Sequence, residues 1–410
     1  KKQKRRPKFT SAQLKKIFAK HLEPVYKTKA EQCPVCKGKG TIQKIKVNGE
    51  PWSKLSKCSE CKGEGFVYTP LPDKAGFYAT VTSVMDIAEG GFKTDKITLV
   101  KLAKTGDEFF KRFVEKITRY NALETYLSTF VDGIKKFTTD KGFLYPSFMQ
   151  TVTATGRLSS RNPNFQNQPR GSTFPIRKVI SSRFEGGSIM EIDYAQLEFR
   201  AAVFLAQDKQ GMEDIINGID VHQYTANIIG CSRQEAKPHT FKPLYGGKSG
   251  TENERKYYKA FLNKYKDISK WHTELENKAI KTKMVTLPTG RQYCFPYIRR
   301  MSWGASNYPT QVKNYPVQGF ATADVVPLAC INIHKLMKEH GCKSLLINTV
   351  HDSIVVDVYP TEVEVLSKIL KQGCLDVKQE LKSRYDIDFN VPLDVDVKMG
   401  IDWLNLEEID

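Results

Sequence analysis

Two short apolar runs along this chain each end in an aspartate. IMEIDYAQLEFR closes its run at Asp193, and LLINTVHDSIVVDV turns at Asp352. Runs of this length predict buried strands, which present each acid at a strand end or hairpin turn. From about Asp107 to Asp132 the period changes. Phe109, Phe113, Ile117, Tyr120, Leu123, Leu127 and Phe130 recur at steps of three and four. That spacing predicts one amphipathic helix, with the stripe in the core and Gly133 as its stop. The polar stretch TVTATGRLSSRNPNFQNQP predicts loop or short strand, and residues 200–300 alternate helical patterns with Gly and Pro breaks. From about 320, ATADVVPLACINIHKLMKEH predicts a helix that Pro327 kinks or opens. The Asp352 hairpin follows, then a helix near 361–384 and a strand around VPLDVDV. Residues 1–30, with FTSAQLKKIFAKHL, predict a basic, partly helical lead-in, and no internal repeat is visible.

Between the two acids lies Arg233-x3-Lys237-x3-Phe241-x3-Tyr245-Gly246. Steps of four advance only ~40° beyond a full turn, so the four side chains are expected to descend one helix face over ~18 Å. Pro238 and Pro243 interrupt this ladder, each removing a helical hydrogen bond. A helix beginning near Lys237 would take Pro238 in its first turn. Two acids brought together from distant strands make a site for two divalent cations, the arrangement used for in-line phosphoryl transfer. An acid pair beside a cationic helix suits a nucleotidyl transferase.

At 410 residues the chain can build a large core over two or more lobes. No apolar run approaches the ~20 residues of a membrane helix, so no membrane partner is expected. KKQKRRPK at the start has no apolar stretch behind it, unlike a secretory signal, and the initial Lys suggests a processed or truncated chain. A formal charge of +19 favours a polyanionic partner, nucleic acid first, with the basic run as an arm of salt-dependent phosphate affinity. Of nine cysteines, Cys33, Cys36, Cys58 and Cys61 form two glycine-trailed Cys-x2-Cys pairs, in CPVCKGKG and CSECKGEG. Four thiolates at this spacing suit one tetrahedral, structural zinc ion; the alternative is a pair of disulfides. The remaining five are scattered, as expected of reduced thiols in a cytoplasmic protein.

DYAQLEFR, the Arg233–Gly246 ladder and VHDS resemble motifs A, B and C of family A DNA polymerases, typified by bacterial polymerase I and many bacteriophage replicases. TATGRLSSRNPNFQNQP is similar to that family's TGRLSS…PN-x-QN-x-P block, and NYPVQGFATAD to its N-x-P-x-QG-x-A-x-D segment. The blocks run in the family's order from about 150 onward. KPHTFKPLYGG looks more like phage variants, which would place the protein in a host cytoplasm.

The resemblance implies an α+β right-hand fold: a palm with an antiparallel sheet, helical fingers and a helical thumb. It assigns 1–135 to a thumb-like region with a zinc-ribbon-like insertion at about 31–68. Palm then falls at 136–204 and 301–410, and fingers at 205–300. Asp193 and Asp352 would hold two Mg²⁺ ions. His222, Arg233 and Lys237 would grip the triphosphate of a dNTP, with Lys237 also donating a proton to pyrophosphate. Phe241 would pack on the sugar, Tyr245 and Gly246 would seal the nascent pair, and Glu198 would stand as a steric gate at the 2′ position. Arg157, Asn164, Gln166, Gln318 and His351 match positions that touch primer–template DNA, and Gly290-Arg291 a template contact. Their local alternative is hydrogen bonding to nearby backbone. For Glu198 the alternative is an exposed helix-start glutamate.

Ser353 departs from the family, which usually has Glu there; a hydroxyl could hold metal-bound water. Residues 1–150 show no paired-acid exonuclease motif, so a separate exonuclease segment or a processivity factor is a possible partner. The zinc insertion is read either as a staple for a loop poor in apolar residues or as a contact for duplex DNA or such a factor. Two further readings stand beside the DNA polymerase: a single-subunit RNA polymerase, and a non-catalytic DNA-binding fragment that lacks an upstream segment.

Overall fold

Glycine-trailed cysteine pairs and β-branched runs divide this chain into two differently built parts. The computed structural model describes residues 13–14, 25–46, 48–80, 83–86, 99–100, 103–104, 106–171, 173–247, 250–302 and 304–409. Most of the expected lead-in at 1–30 lies outside them. The units divide between Leu127 and Ser128.

In the first unit, β1 (Val25–Gln32) runs into the first cysteine pair. β2 (Thr41–Ile42) and β3 (Ser56–Lys57) pair antiparallel between the two cysteine pairs. β4 (Phe66–Thr80) returns along β1, and β5 (Ser83–Asp86) adds to its far edge. Helix α1 (Glu108–Thr125) is capped by Asp107, whose carboxylate accepts from the Phe110 N–H at 2.7 Å. Its buried face is Phe110, Val114 and Ile117: Ile117 belongs to the predicted stripe, while Phe110 and Val114 replace Phe109 and Phe113, and Phe109 is exposed. Gly133 does not stop the helix. A π-helical turn, Tyr126–Val131, carries the chain across the division into α2 (Asp132–Phe137) of the second unit, which ends at extended Thr138. The Thr138 hydroxyl donates to the Ile134 carbonyl at 2.8 Å, a local bond that glycine at 133 could not offer.

In the second unit, the hairpin β6 (Ser147–Met149) with β7 (Ser159–Arg161) precedes the central strand β8 (Ser188–Tyr194). Helices α3 (Leu197–Ala206), α4 (Lys209–Ile216), α5 (Val221–Ile229) and α6 (Arg233–Thr240) follow, then α7 (Glu252–Lys264) and α8 (Lys266–Thr282). A short hairpin, β9 (Met284–Thr286) with β10 (Gln292–Cys294), leads to α9 (Gln311–Gln318). The helix expected from about 320 thus begins earlier. A π-helical stretch Gly319–Val325 separates α9 from α10 (Val326–Glu339), Pro327 sits in the first turn of α10, and the Ala323 carbonyl four residues before it accepts from Arg291 Nη2 at 3.3 Å.

β11 (Leu345–Val350) and β12 (Ser353–Val358) form the predicted hairpin. The helical stretch at 361–384 is two helices, α11 (Val363–Leu375) and α12 (Val377–Tyr385), before β13 (Val395–Gly400) and β14 (Glu407–Glu408). One antiparallel sheet results, in order β11-β12-β8-β13-β14.

Period-two alternation gives β8 two faces. Met190, Ile192 and Tyr194 join the large core with Phe199, Phe261, Phe320 and Val356. Ile189 turns instead to a smaller core with Val355, Phe165 and Trp403, and Glu191 and Asp193 share its side of the strand. The Tyr194 hydroxyl donates to the Cys374 carbonyl at 2.8 Å, tying β8 to α11.

Candidate active site

Register brings the two acids together. Ser353 pairs with Asp193 across β12 and β8, and the Tyr194 N–H points to the Asp352 carbonyl at 3.5 Å. His351, at φ +59°, makes the tight turn that delivers Asp352 to the strand end. Asp193 Oδ1 is buried and has no hydrogen-bond partner among the described residues, an acceptor that suits a cation. Burial first, then the Asp352 charge, push the Asp193 carboxyl up to about 7. Burial also raises Asp352, against the opposing pull of His351 and Arg170. Arg170, which sequence reasoning missed, is the cation that lowers both acids; it lies in a polar loop with no pattern to mark it.

The third acid on the strand is spoken for. Glu191 accepts from Trp403 Nε1 at 2.6 Å and faces Arg177 at 3.8 Å, while the Arg177 guanidinium lies 4.0 Å above the Trp403 ring. Ser353 is fully buried and donates to the Val350 carbonyl at 3.1 Å, so its hydroxyl closes the hairpin rather than turning toward a metal-bound water.

Glu198 stands in the first turn of α3, behind left-handed Gln196. Its side chain is only 20% exposed and pairs with Arg157, unlike a solvated helix-start glutamate. Burial raises the Glu198 carboxyl even against that cation. Arg157 Nε also donates to Thr322 Oγ1 at 2.6 Å, and the Thr322 hydroxyl donates to the Gln318 carbonyl at 2.7 Å. Thr322 lies in the π-helical stretch, whose extra residue per turn no sequence period betrays.

Four of the residues expected at DNA line one cleft of about 220 Å³: Arg157, Asn164, Gln166 and His351, together with Thr322 and Thr349. Asn164 Oδ1 accepts from the Gln166 and Asn167 N–H groups, and Gln166 Nε2 donates to the Thr349 carbonyl at 3.1 Å. The local backbone bonds and the cleft position therefore coexist. Desolvation, Arg157 and Arg170 lower the His351 pKa. Gln318 ends α9 outside this lining. Arg291 is engaged internally: Nε and Nη2 donate to Asp324 at 3.0 and 2.7 Å. A Cβ on Gly156, at φ +83°, would lie 2.5 Å from Arg291 Nη1, so glycine there lets the guanidinium brace the loop that carries Arg157.

The cationic ladder needs correcting. Arg233, Lys237, Phe241 and Tyr245 do not share one helix face. Helix α6 starts at a Ser232–Glu235 capping box, not near Lys237, and ends at Phe241. Tyr245 lies in a 3₁₀ turn, Pro243–Tyr245, that Pro243 opens. Pro243 cannot donate to the His239 carbonyl; the Lys242 N–H takes that acceptor at 3.2 Å and closes the α-helix.

The residues still gather. Arg233 Nε donates to Asp220 Oδ2 at 2.6 Å, and Asp220 Oδ1 caps α5 through the His222 and Gln223 N–H groups. His222 Nδ1 meets Thr240 Oγ1 at 3.0 Å, and its ring lies 5.3 Å from Phe241, edge to face. Burial lowers the His222 pKa, and the Arg233 and Lys237 charges lower it further. Phe241 stacks at 6.2 Å on Phe199 of α3. Gly246, at φ +76°, leaves room for Lys313, whose Cδ would lie 2.7 Å from a Cβ there. Sequence reasoning passed over Asp220; its cap of α5 is local, and its hold on Arg233 is a tertiary contact.

Two half-buried acids thus meet at one end of an antiparallel sheet, an arrangement of the kind found in phosphoryl-transfer enzymes. The family model for DNA polymerase family A matches residues 77–405, and the chain belongs to that family. DNA polymerase I of Caldicellulosiruptor bescii is 28% identical over 369 residues, which cover 82% of this chain and 42% of that enzyme. The thermostable DNA polymerase I of Thermus aquaticus is 29% identical over 318 residues, covering 72% of this chain and 36% of that enzyme. The chain spans less than half the length of these curated relatives. Among solved structures, the POL domain of Pol1 from M. smegmatis, in complex with DNA primer–template and dNTP, has a TM-score of 0.64 at 25% identity. That match covers 77% of this chain and 57% of the other.

Proposed function

We propose that this chain is a template-directed DNA polymerase that adds dNTPs to a primer 3′-hydroxyl. The observation that carries the reading is the pairing of Ser353 with Asp193, which seats Asp352 beside a buried, unpartnered Asp193 oxygen. Oxygen donors alone suit a hard cation, so Asp193 and Asp352 would hold two magnesium ions. When bound, such ions acidify the primer hydroxyl and neutralise charge on the β- and γ-phosphates.

The chain's own groups do the rest. Arg233 and Lys237 hold the triphosphate, and Lys237 protonates the departing pyrophosphate. His222, kept neutral by its depressed pKa, contributes a hydrogen bond rather than a charge. Phe241, fixed by Phe199, packs on the sugar, and Tyr245 with Gly246 closes over the new base pair. Glu198, held by Arg157, guards the 2′ side of the sugar. Arg157, Asn164, Gln166 and His351 meet minor-groove acceptors common to all Watson–Crick pairs, sensing shape rather than sequence. Gln318 and Arg291, tied to that surface through Thr322 and Gly156, would also meet the primer–template DNA.

In right-hand terms, residues 136–204 and 301–410 make the palm around the sheet and 205–300 the fingers. Residues 1–135 make a thumb-like region with the insertion at about 31–68. Zinc is the ion for its four cysteines, a centre apart from the transfer chemistry. The phage-like sequence around the ladder favours a replicative enzyme in a host cytoplasm, working with a processivity factor or a separate exonuclease segment. Extension of a labelled primer by the purified chain, with dNTPs and then NTPs, tests the reading. Extension with dNTPs, lost in Asp193→Asn, supports it. Preference for NTPs moves the chain to RNA synthesis, and DNA binding without any extension makes it a non-catalytic fragment.

A further inference from the structure

The four cysteine sulfurs lie within 4.8 Å of one another, and all four side chains are buried. Cys33 and Cys58 stand 3.8 Å apart and Cys36 and Cys61 3.5 Å apart, sulfur to sulfur. A tetrahedron with Zn–S bonds of about 2.3 Å has edges of about 3.8 Å, so the sulfurs are already spaced as its corners.

The backbone explains the spacing. The two cysteine pairs are related by a local twofold. Cys33 N–H donates to the Gly65 carbonyl at 2.9 Å, and Cys58 N–H to the Gly40 carbonyl at 2.9 Å. Gly40 N–H points at Cys36 Sγ at 3.3 Å, and Gly65 N–H at Cys61 Sγ at 3.2 Å. Such N–H groups favour the thiolate form that a metal requires. The turns interlock so closely that glycine is required. A Cβ on Gly40 would lie 2.4 Å from the Gly63 carbonyl oxygen, and one on Gly65 would lie 2.5 Å from that of Gly38.

Beyond the β1–β4 and β2–β3 pairings, the described residues give this segment little apolar packing. Among the described residues, the buried cluster consists of the four cysteines, with Ile42 and Val67 packed against it. The larger apolar side chains of the segment, Ile45, Trp52 and Leu55, are exposed. A segment with so small an apolar cluster has little hydrophobic driving force to offset its conformational entropy.

Resting on the zinc reading of these cysteines, we propose that zinc binding and the folding of residues 33–66 are one event. Neither cysteine pair forms its turn alone, because each completes the hydrogen bonds of the other. Four protein sulfurs leave no position for water, so the ion is structural and stands outside polymerase chemistry.

The test uses the full chain, purified under reducing conditions. Bound zinc is measured by metal analysis, cobalt(II) uptake by its thiolate charge-transfer absorption, and folding by protease cleavage within 33–66, with and without a strong zinc chelator. The expected result is one zinc per chain, a tetrahedral cobalt spectrum, and protection of 33–66 that the chelator abolishes while 128–410 stays resistant. Cys58→Ser should drop retained zinc below about a tenth per chain, and Gly40→Ala should weaken zinc retention ~10–100-fold with every ligand still present. Cys294→Ser, on the exposed hairpin strand β10, should change neither. Absence of bound zinc together with no cobalt uptake overturns the zinc reading itself. Zinc bound with equal protection of 33–66 before and after its removal leaves that reading standing and overturns the coupling to folding.

Discussion

Ser353 lies opposite Asp193 in the antiparallel register of β12 and β8, and this one pairing seats Asp352, its chain neighbour, beside Asp193. A slip by one residue would turn either acid to the opposite face of the sheet. The site therefore depends on register as much as on the acids.

Replacing either acid should remove catalysis while leaving the sheet intact. Asp193→Asn and Asp352→Asn are each expected to slow single-turnover primer extension by ~1,000-fold or more, the scale of lost charge stabilisation at a transferring phosphoryl group. DNA affinity, measured by anisotropy without nucleotide, should stay within about twofold.

The same pair predicts how pH affects stability. Asp193 titrates at about 7 in the fold against an ordinary 3.8. A raised pKa favours the protonated folded state, so this contribution is full below the unfolded value and is lost as pH rises toward 7. Metal-free protein should thus be strained at pH 8, and Mg²⁺ should relieve it. Thermal melts should show a larger Mg²⁺-induced rise in Tm at pH 8 than at pH 6. Asp193→Asn should melt higher than the parent in EDTA at pH 8, and an unchanged or lower Tm would count against the buried repulsion.

Glu198 and Arg157 form a half-buried pair against Thr322, within reach of the Asp352 charge. Glu198→Ala should relax discrimination against ribonucleotides by ~10–100-fold, read as the ratio of kcat/KM for dNTP and NTP. Unchanged sugar selectivity would remove the gate role from Glu198.

Phe241 carries no hydroxyl and is locked on Phe199. Phe241→Tyr adds a hydrogen-bonding group at the sugar that stands in for a missing 3′-hydroxyl. Dideoxynucleotide incorporation relative to dNTP should rise about fivefold to tenfold, the worth of roughly one net hydrogen bond. No change in chain termination would place Phe241 away from the sugar.

Asp220 serves both as the cap of α5 and as the partner of Arg233. Asp220→Ala should cost about 1 kcal/mol in urea unfolding, as lost caps do. Arg233→Ala should instead raise the KM for dNTP by ~10-fold with little loss of stability, separating phosphate binding from helix capping.

Much of this was legible because it is local. The acids closing apolar runs, the Asp352 hairpin, Pro327 in a first turn and the paired cysteines with their glycines follow from near neighbours along the chain. The ladder was misread where two local rules competed. Its i, i+4 spacing suggested one continuous helix, but Pro243 removed a donor and the Ser232–Glu235 box fixed an earlier start. The stripe on α1 held at Ile117 but shifted by one position in the first turns, since several apolar residues there offered more than one face and packing chose Phe110 over Phe109.

By itself, the sequence determined which residues could do chemistry: two aspartates, a set of cations and aromatics at near-helical steps, and four cysteines in two pairs. Those properties belong to side chains and to spacings of a few residues. Only the tertiary structure decided which of them meet. Strand register joined Asp193 to Asp352, and a π-helical turn brought Thr322 under Arg157. Trp403 and Arg177 took Glu191 out of contention, and Asp324 drew Arg291 inward. Each of these contacts joins segments far apart in the chain, and their energies depend on burial and geometry that no local pattern contains.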